Sequence, residues 1–293
     1  MSKHKSISRW QRIKVWPQHL LPQHALTRAA NIISNSRFLA RPFIDAFTRM
    51  YPVKVEEAEY PLEAYISFDQ FFTRSLKPGL RRFPTDPCII TSPCDGTLSQ
   101  AGRIDQGRIV QAKGRDFSVA ELLTLSDWAE RFDNGQFATV YLAPHDYHRV
   151  HMPVDGELAA EVRVPGRLFS VSTATSQTIN RLYARNERLV ALFETSRGPV
   201  AVVLVAAMLV AGIETCWDES PNWRPNRKIA ARHFETPLEL PRGVEIGQFH
   251  WGSTVIVLTG PNFPRWRSDL QPGSRLQLGQ AMSGDRAASH DLQ

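Results

Sequence analysis

The longest apolar stretch of the chain, Val200 to Ile213, limits what the chain can fold into. It contains fourteen residues, whereas a helix that spans a bilayer needs about 20. The stretch follows Gly198-Pro199 and is rich in valine, which favours extended backbone over helix. We therefore expect a buried strand here, or two strands bent near Ala206-Ala207, and any membrane contact should be peripheral.

Other short segments show the same strand features, being rich in β-branched or aromatic residues and bounded by Gly, Pro or Asp-Gly. They are Ala138–Leu142, Glu157–Val164, Leu189–Phe193 and Thr254–Leu258. A helix is expected from Val119 to Arg131, ahead of the turn at Asp133-Asn134-Gly135. The expected fold class is α+β, with a mostly antiparallel, barrel-like or sandwich-like β core and basic amphipathic helices at the N-terminus.

The first fifty residues carry an excess of positive charge. Nine Lys or Arg side chains stand against one acidic side chain, Asp45, so this segment is +8 and the other 243 residues are −2, within a total of +6. A basic end on a near-neutral body indicates an anionic partner, either a membrane surface or a nucleic acid.

The pattern within those fifty residues favours the membrane. Apolar residues recur at helical spacing between His24 and Ile33 and from Pro42 to Tyr51, and Trp10, Trp16 and Phe38 lie among the cations. This arrangement is typical of helices in a lipid headgroup layer. The alternative is that these helices simply pack on the body. No RNA- or DNA-binding motif is present, so nucleic acid is not expected as a partner.

The loop from Pro144 to Pro153 holds the densest group of reactive side chains, including His145, His148 and His151. Metal-binding helices usually place histidines at i and i+4 with a carboxylate ligand nearby, and no cysteine or acidic cluster completes a set here, so no metal is expected. Acid–base chemistry suits histidine, because its pKa lies near working pH. Histidines that only make hydrogen bonds are the alternative.

Asp95 and Ser253 are weak candidates when taken alone. Asp95-Gly96 is above all a turn pattern, and the same P-x-D-G-x-L sequence recurs at Asp155. Ser253 follows Gly252 and opens a strand, which is commonplace, and the chain has no G-x-S-x-G elbow there. The residues by themselves give a serine, a histidine and an aspartate on different loops of a β core.

Several segments in order resemble the phosphatidylserine decarboxylases, over roughly residues 40–260. Trp251-Gly252-Ser253-Thr254 is similar to the L-G-S-T processing motif of that family, and YLAPHDYHRVHMP (141–153) is similar to its most characteristic segment. Further matching stretches are FFTRSLKPGLRRF (71–83), SPCDGTLSQAG (92–102), QAKGRDFS (111–118), VPGRLFSV (164–171), ARNERLV (184–190) and AGIET (211–215).

The resemblance implies an enzyme that cuts itself between Gly252 and Ser253. It places the self-processing triad on Asp95, His151 and Ser253, and the acid–base group of decarboxylation on His148. Ser253 would become a covalent pyruvoyl cofactor, which forms a Schiff base with the amine of phosphatidylserine and allows decarboxylation to phosphatidylethanolamine. Trp251 stands where leucine is usual, which bears on the rate of cleavage more than on its occurrence.

The expected organisation follows from these motifs. Residues 1–60 form a membrane-associating helical region, residues 61–278 a β-rich catalytic domain, and residues 279–293 a disordered tail. Cleavage gives a β chain (1–252) and an α chain (253–293), and a homodimer of that αβ unit stays open. The expected location is the cytoplasmic side of the cell membrane, attached peripherally to anionic lipid.

Two rival interpretations remain. One is a related pyruvoyl enzyme that decarboxylates a soluble amino acid, and the other is a non-catalytic protein that binds membranes.

The three cysteines include no C-x-x-C pair, so they indicate neither a disulfide framework nor a zinc site and suit a reducing compartment.

Overall fold

The computed structural model describes residue 18 and residues 22–112, 114–208, 212–218, 228–250 and 252–284. The expectations for Trp10, Trp16 and Trp251 lie outside these residues, as does most of the expected tail, 285–293.

Antiparallel strands are the commonest regular element among the described residues and form three sheets. The large sheet has eight strands in the order β10-β6-β7-β8-β12-β4-β1-β13, a second sheet has the order β5-β11-β9, and β2 pairs with β3. In chain order, the strands are β1 (Gly96–Arg103), β2 (Arg108–Ala112), β3 (Arg115–Ser118), β4 (Gln136–Leu142), β5 (Arg149–His151), β6 (Gly156–Val164), β7 (Arg188–Thr195), β8 (Gly198–Val205), β9 (Ile213–Thr215), β10 (Ala230–Leu240), β11 (Glu245–Phe249), β12 (Ser253–Thr259) and β13 (Arg275–Leu276).

The helices are short, and the two longest lie before the first strand. In chain order they are α1 (Gln23–Ser34), α2 (Ala40–Met50), α3 (Phe68–Phe72), α4 (Val119–Leu123), α5 (Ser126–Glu130), α6 (Thr173–Ser176) and α7 (Leu182–Arg185). Single 3₁₀ turns occur at Val55–Glu57 and Leu62–Ala64.

The α+β class with a mostly antiparallel core is confirmed. The large sheet is open rather than closed into a barrel, because β10 and β13 are its edge strands. The apolar run supplies β8, a central strand buried almost throughout, and then β9 beginning at Ile213. The expected buried strand is thus confirmed, whereas β9 takes only the last residue of the run.

The expected helix over 119–131 is two helices instead. Ser118 caps α4 in a capping box with Glu121, and Thr124 then adopts a left-handed conformation with φ 60°. A β-branched residue rarely adopts that conformation, so the sequence pattern gives no warning of the break. The chain restarts as α5 after Leu125.

The first six residues of the expected tail belong to the folded body. Ala281 forms a β-bridge with Thr91, Met282 is fully buried, and Ser283 Oγ accepts a hydrogen bond of 2.8 Å from the Ile90 N–H. The prediction of disorder from residue 279 onward was therefore wrong for residues 279–284.

The two N-terminal helices present apolar side chains to solvent. Helix α1 buries Gln23, Thr27 and Ser34, which lie on its polar side. Helix α2 buries Ala40, Ile44 and Phe47. The large apolar side chains left exposed in this region, here called the exposed apolar set, are Leu26, Ile32, Ile33, Phe38, Leu39, Phe43 and Met50.

An aromatic cluster joins α2 to the body through α3. The ring of Phe47 lies 5.1 Å from that of Phe68 and 6.0 Å from that of Phe72, edge to face. Ile44, Tyr65 and Phe71 complete this second core. Edge-to-face aromatic contacts are favourable and directional, so they fix how α2 packs on α3.

Candidate active site

The segments that carry the candidate residues lie at one end of the central strands of the large sheet. Strand β4 ends at Leu142, which pairs with Ser253 at the start of β12. On the other side of β4, Thr97 of β1 pairs with Tyr141, and Asp95 comes directly before β1. The histidine loop follows β4 at this same end of the strands. The sheet register therefore brings the Asp95, His148, His151 and Ser253 segments to one place.

Ser253 is buried and its hydroxyl is free. The residue is 0% exposed, and among the described residues Oγ has no hydrogen-bond partner. A buried hydroxyl without a partner costs free energy, so its presence at the head of β12 requires an explanation. Before it, Gly252 has open space, because a Cβ built there would come no closer than 3.9 Å to Leu142 O.

His151 is held by its two neighbours, Gly243 and Tyr147. Its Nδ1 lies 2.8 Å from the Gly243 carbonyl oxygen, which can only accept, so Nδ1 carries the hydrogen. Nε2 therefore has the lone pair and accepts from the Tyr147 hydroxyl at 2.9 Å. Burial lowers the pKa of His151, and the Gly243 carbonyl, the charge of Glu245 and the smaller effect of the Asp95 charge oppose that shift only in part.

Asp95 does not contact His151 in this structure. Its carboxylate accepts from Arg81, at 2.6 Å to Oδ2, and from the Leu278 backbone N–H, at 2.8 Å to Oδ1. Arg81 also pairs with Glu57 at 2.7 Å. Asp95 thus acts on His151 as a nearby negative charge rather than as a hydrogen-bond partner. Its sequence twin Asp155 is a turn residue that accepts from the Arg242 N–H.

His148 is fully buried in a mostly apolar setting. Its Nδ1 donates to the Asp146 carbonyl at 2.8 Å, and among the described residues Nε2 has no hydrogen-bond partner. Burial lowers its pKa to about 3, so the ring is neutral near pH 7 and Nε2 presents a lone pair. A group with so low a pKa takes up a proton only weakly, and it readily gives up any proton that it receives.

A pocket of about 590 Å³ opens beside these residues. Asp95 and Tyr147 lie on its wall, together with Pro52 and Lys54, which follow α2. The volume falls in the range of small-molecule sites. The pocket therefore connects the end of the N-terminal helices with the side of the candidate site where Asp95 lies.

Comparison with known proteins gives the family. A family model described as phosphatidylserine decarboxylase matches residues 68–283, and a second, described as PSD, matches residues 13–52. The chain belongs to the phosphatidylserine decarboxylase family. Curated proteins named phosphatidylserine decarboxylase proenzyme include one from Azotobacter vinelandii (48% identity, covering 90% of this chain and 95% of the relative), one from Pseudomonas putida strain GB-1 (47%, 93% and 97%) and one from Ectopseudomonas mendocina (46%, 93% and 98%).

Two residues of this candidate site were not predicted from the sequence. Tyr147 lies inside the histidine loop, four residues before His151, but tyrosine there suggested no role. Arg81 lies in the matched 71–83 segment and pairs with Asp95. Its position in the sequence, fourteen residues earlier, does not reveal that contact, because no helix or hairpin joins the two residues.

A third missed residue precedes the family's processing motif. His250 lies two positions before Gly252, and its Nδ1 is 2.9 Å from Asp69 Oδ2. The partner is 181 residues away in sequence, so only the fold brings the two together.

No helix within the described residues is long and apolar enough to cross a bilayer.

Proposed function

We propose that this chain is a phosphatidylserine decarboxylase proenzyme that cuts itself between Gly252 and Ser253. The single observation that carries the proposal is the hydroxyl of Ser253, which is buried and has no partner among the described residues. It stands at the head of β12, next to a glycine. A nucleophile kept free of hydrogen bonds at the predicted cut is what self-processing needs.

His151 is the proposed base for cleavage. Nε2 releases the hydrogen bond from the Tyr147 hydroxyl and accepts one from the Ser253 hydroxyl instead. It then takes the Oγ proton. Oγ then attacks the Gly252 carbonyl carbon, and the amide becomes an ester. Asp95 contributes a negative charge that stabilises the imidazolium formed at this step.

The ester then breaks by β-elimination. Loss of the Ser253 Cα proton expels the Gly252 carboxylate from Cβ, and the dehydroalanine left at residue 253 takes up water and releases ammonia. The product is a pyruvoyl group at the start of the shorter chain. Ser253 supplies the carbon atoms of this group, and among the described residues no hydrogen bond to Oγ has to break when Oγ leaves with the Gly252 carboxylate.

The mature pyruvoyl group supplies a conjugated carbonyl that accepts electrons when carbon dioxide leaves the substrate. His148 is the proposed acid–base residue of that step. Its Nδ1 is fixed on the Asp146 carbonyl, so only Nε2 is available to hold or deliver a proton. The burial that keeps the ring neutral also excludes water from that proton.

Phosphatidylserine as substrate is supported by the family and by the surface of α1 and α2. Phe38 is 95% exposed and Met50 is 71% exposed, and Arg28, Arg37 and Arg49 have no ion-pair partner among the described residues. We propose peripheral docking on anionic lipid at the cytoplasmic side of the membrane, with the exposed apolar set inserted. Such a surface serves a lipid substrate better than a soluble amino acid.

Mass spectrometry of the denatured protein tests the proposal. We expect chains of 252 and 41 residues, the second ending at Gln293 and lighter at its start by one ammonia than a serine terminus. The Ser253→Ala variant should remain whole. Release of carbon dioxide from phosphatidylserine should accompany the cut form alone, so an active, uncut parent chain would contradict the mechanism.

A further inference from the structure

His250 lies in the short connection that carries the proposed cut. Residues 250–252 link β11 in the three-stranded sheet to β12 in the eight-stranded sheet. The imidazole reaches Asp69 of α3 through Nδ1, at 2.9 Å to Oδ2 and 3.0 Å to Oδ1. On its other side, Nε2 makes an ion-pair contact of 3.1 Å with Glu214 Oε1 of β9, without the alignment of a hydrogen bond.

The two carboxylates make His250 a cation. Burial by itself would lower its pKa, but the contacts with Asp69 and Glu214 outweigh burial and raise the pKa to about 9. The side chain of His250 is 14% exposed, that of Asp69 12% and that of Glu214 25%. Screening by water is therefore weak, and the pair of contacts is stronger than a surface ion pair.

Glu214 is itself fixed in place. Its other carboxylate oxygen accepts from Gln248 Nε2 at 2.7 Å, and the two residues are directly paired across β9 and β11. Asp69 lies in α3, whose Ser67 cap accepts from the Gln70 N–H. The imidazole thus has a rigid partner on each side.

The connection is held at its other end as well. Ser253 pairs with Leu142, and Thr254 pairs with Tyr141 on one side and Val205 on the other. His250 and Ser253, the two fixed points, are only three positions apart in the chain. Holding reacting groups near one geometry before the reaction lowers the entropy that the reaction must lose.

We propose that His250 is a positioning residue for self-cleavage: held between Asp69 and Glu214, it fixes the chain on the N-terminal side of the Gly252–Ser253 bond, so that the Gly252 carbonyl lies within reach of Ser253 Oγ. The inference rests on the proposed function, because it concerns the cut itself. His250 touches neither reacting atom and acts through the backbone. After the cut, the same contacts hold the new C-terminus of the longer chain.

The test follows the rate of cleavage in newly made full-length chain. Protein is labelled in a short pulse of cell-free synthesis, and the cut fraction is followed by denaturing electrophoresis. His250→Gln removes the charge and should slow cleavage by about 10- to 100-fold, the cost of a small misplacement of reacting groups. His250→Lys keeps a cation between the carboxylates and should restore most of the rate. Asp69→Asn and Glu214→Gln should each slow it.

His233→Gln is the matched control, since His233 lies on the exposed edge strand β10 and its loss should leave the rate unchanged. Folding is checked by thermal unfolding of each variant in an uncut Ser253→Ala background. Once fully cut, His250→Gln should decarboxylate at a rate close to that of the parent, which separates positioning for cleavage from general damage to the site.

Two results would overturn the inference: cleavage of His250→Gln at the parent rate, or equally slow cleavage of folded His250→Gln and His250→Lys. Either result would be seen in an experiment in which the parent cuts normally, so the proposed function would stand. A parent chain that stays whole would instead remove the proposed function, and this inference with it.

Discussion

Phe72 lies against His148, with their ring centroids 4.1 Å apart. The same aromatic ring faces Phe47 of α2, so one residue of α3 contacts both α2 and the buried histidine. The ring also forms part of the buried setting that lowers the pKa of His148. His148 thus owes part of its environment to the N-terminal region.

The two histidines should give different phenotypes. His151→Ala removes the Nε2 lone pair that is to activate Ser253 and should leave the chain uncut. His148→Ala should still cut, because His148 is not the base for that step, but should lose decarboxylation by about 100-fold or more, as is usual for an acid–base group. Intact mass and carbon dioxide release measure the two effects, and identical phenotypes would contradict the assignment.

Asp95 and Asp155 form a matched pair, since both stand in the same P-x-D-G-x-L sequence. Asp95→Asn removes the charge that stabilises the His151 imidazolium and should slow cleavage by about 100-fold, less than in a triad with a direct contact. Asp155→Asn should leave the rate of cleavage unchanged, because Asp155 accepts only from the Arg242 backbone. Equal rates of cleavage in the two variants would show that the charge of Asp95 has no role.

Membrane docking should depend on particular arginines. Arg41 is already paired with Asp45 at 3.0 Å and with Glu63 at 2.8 Å, whereas Arg28, Arg37 and Arg49 are exposed without such partners among the described residues. Each free cation near an anionic surface contributes about 1 kcal/mol. Reversing these three charges should therefore reduce sedimentation with phosphatidylserine-containing vesicles far more than reversing Arg41 alone.

Activity provides the control for that variant. A short-chain soluble substrate should be decarboxylated nearly as before, while bilayer substrate is turned over slowly. Salt should weaken vesicle binding only in part, because ionic screening leaves the insertion of Phe38 and Met50 in place. If vesicle binding is unchanged, or if both activities fall together, α1 and α2 serve packing rather than docking.

Glu187 should make stability depend on pH. The side chain is 3% exposed, and burial raises its pKa to about 8. The folded state therefore keeps a proton that the unfolded state loses above its ordinary pKa of 4.5, so this contribution to stability is complete below pH 4.5 and is lost as the pH rises to about 8. At about 1.4 kcal/mol per pKa unit, the loss is on the order of 5 kcal/mol.

Glu187→Gln should remove most of that slope. Denaturant unfolding between pH 5 and 9 in the uncut Ser253→Ala background measures it, with Glu157→Gln as the control, because Glu157 lies exposed on β6. A variant that keeps the parent slope would show that Glu187 is not protonated in the fold.

The strands that could be predicted from sequence are the central ones. Segments such as 200–205 and 254–258 are apolar on both faces because both faces are covered, so composition alone marks them. β10 was not predicted: it is an edge strand, mostly exposed, with Pro237 in an irregular stretch of its register between His233 and Leu238. Such a strand has no alternation of apolar and polar residues to detect, and proline is tolerated there.

The site could be predicted only as a set of segments. Resemblance brought Asp95, His148, His151 and Ser253 together, but it did not reveal that Arg81 holds Asp95 or that the Gly243 carbonyl orients His151. These contacts join residues far apart in sequence through loops without periodicity. A backbone carbonyl has no side-chain identity, so its role at Gly243 left no trace in the residue pattern.

The position of β12 has a consequence for the enzyme after the cut. The strand lies between β4 and β8, both of which belong to the longer chain, and pairs with them along its whole length. The shorter chain cannot leave without opening the centre of the large sheet. Cleavage should therefore loosen the folded structure only a little. Once unfolded, however, the two chains must find each other by diffusion. What was a unimolecular folding reaction becomes a second-order assembly, and the mature enzyme persists through slow unfolding rather than ready refolding.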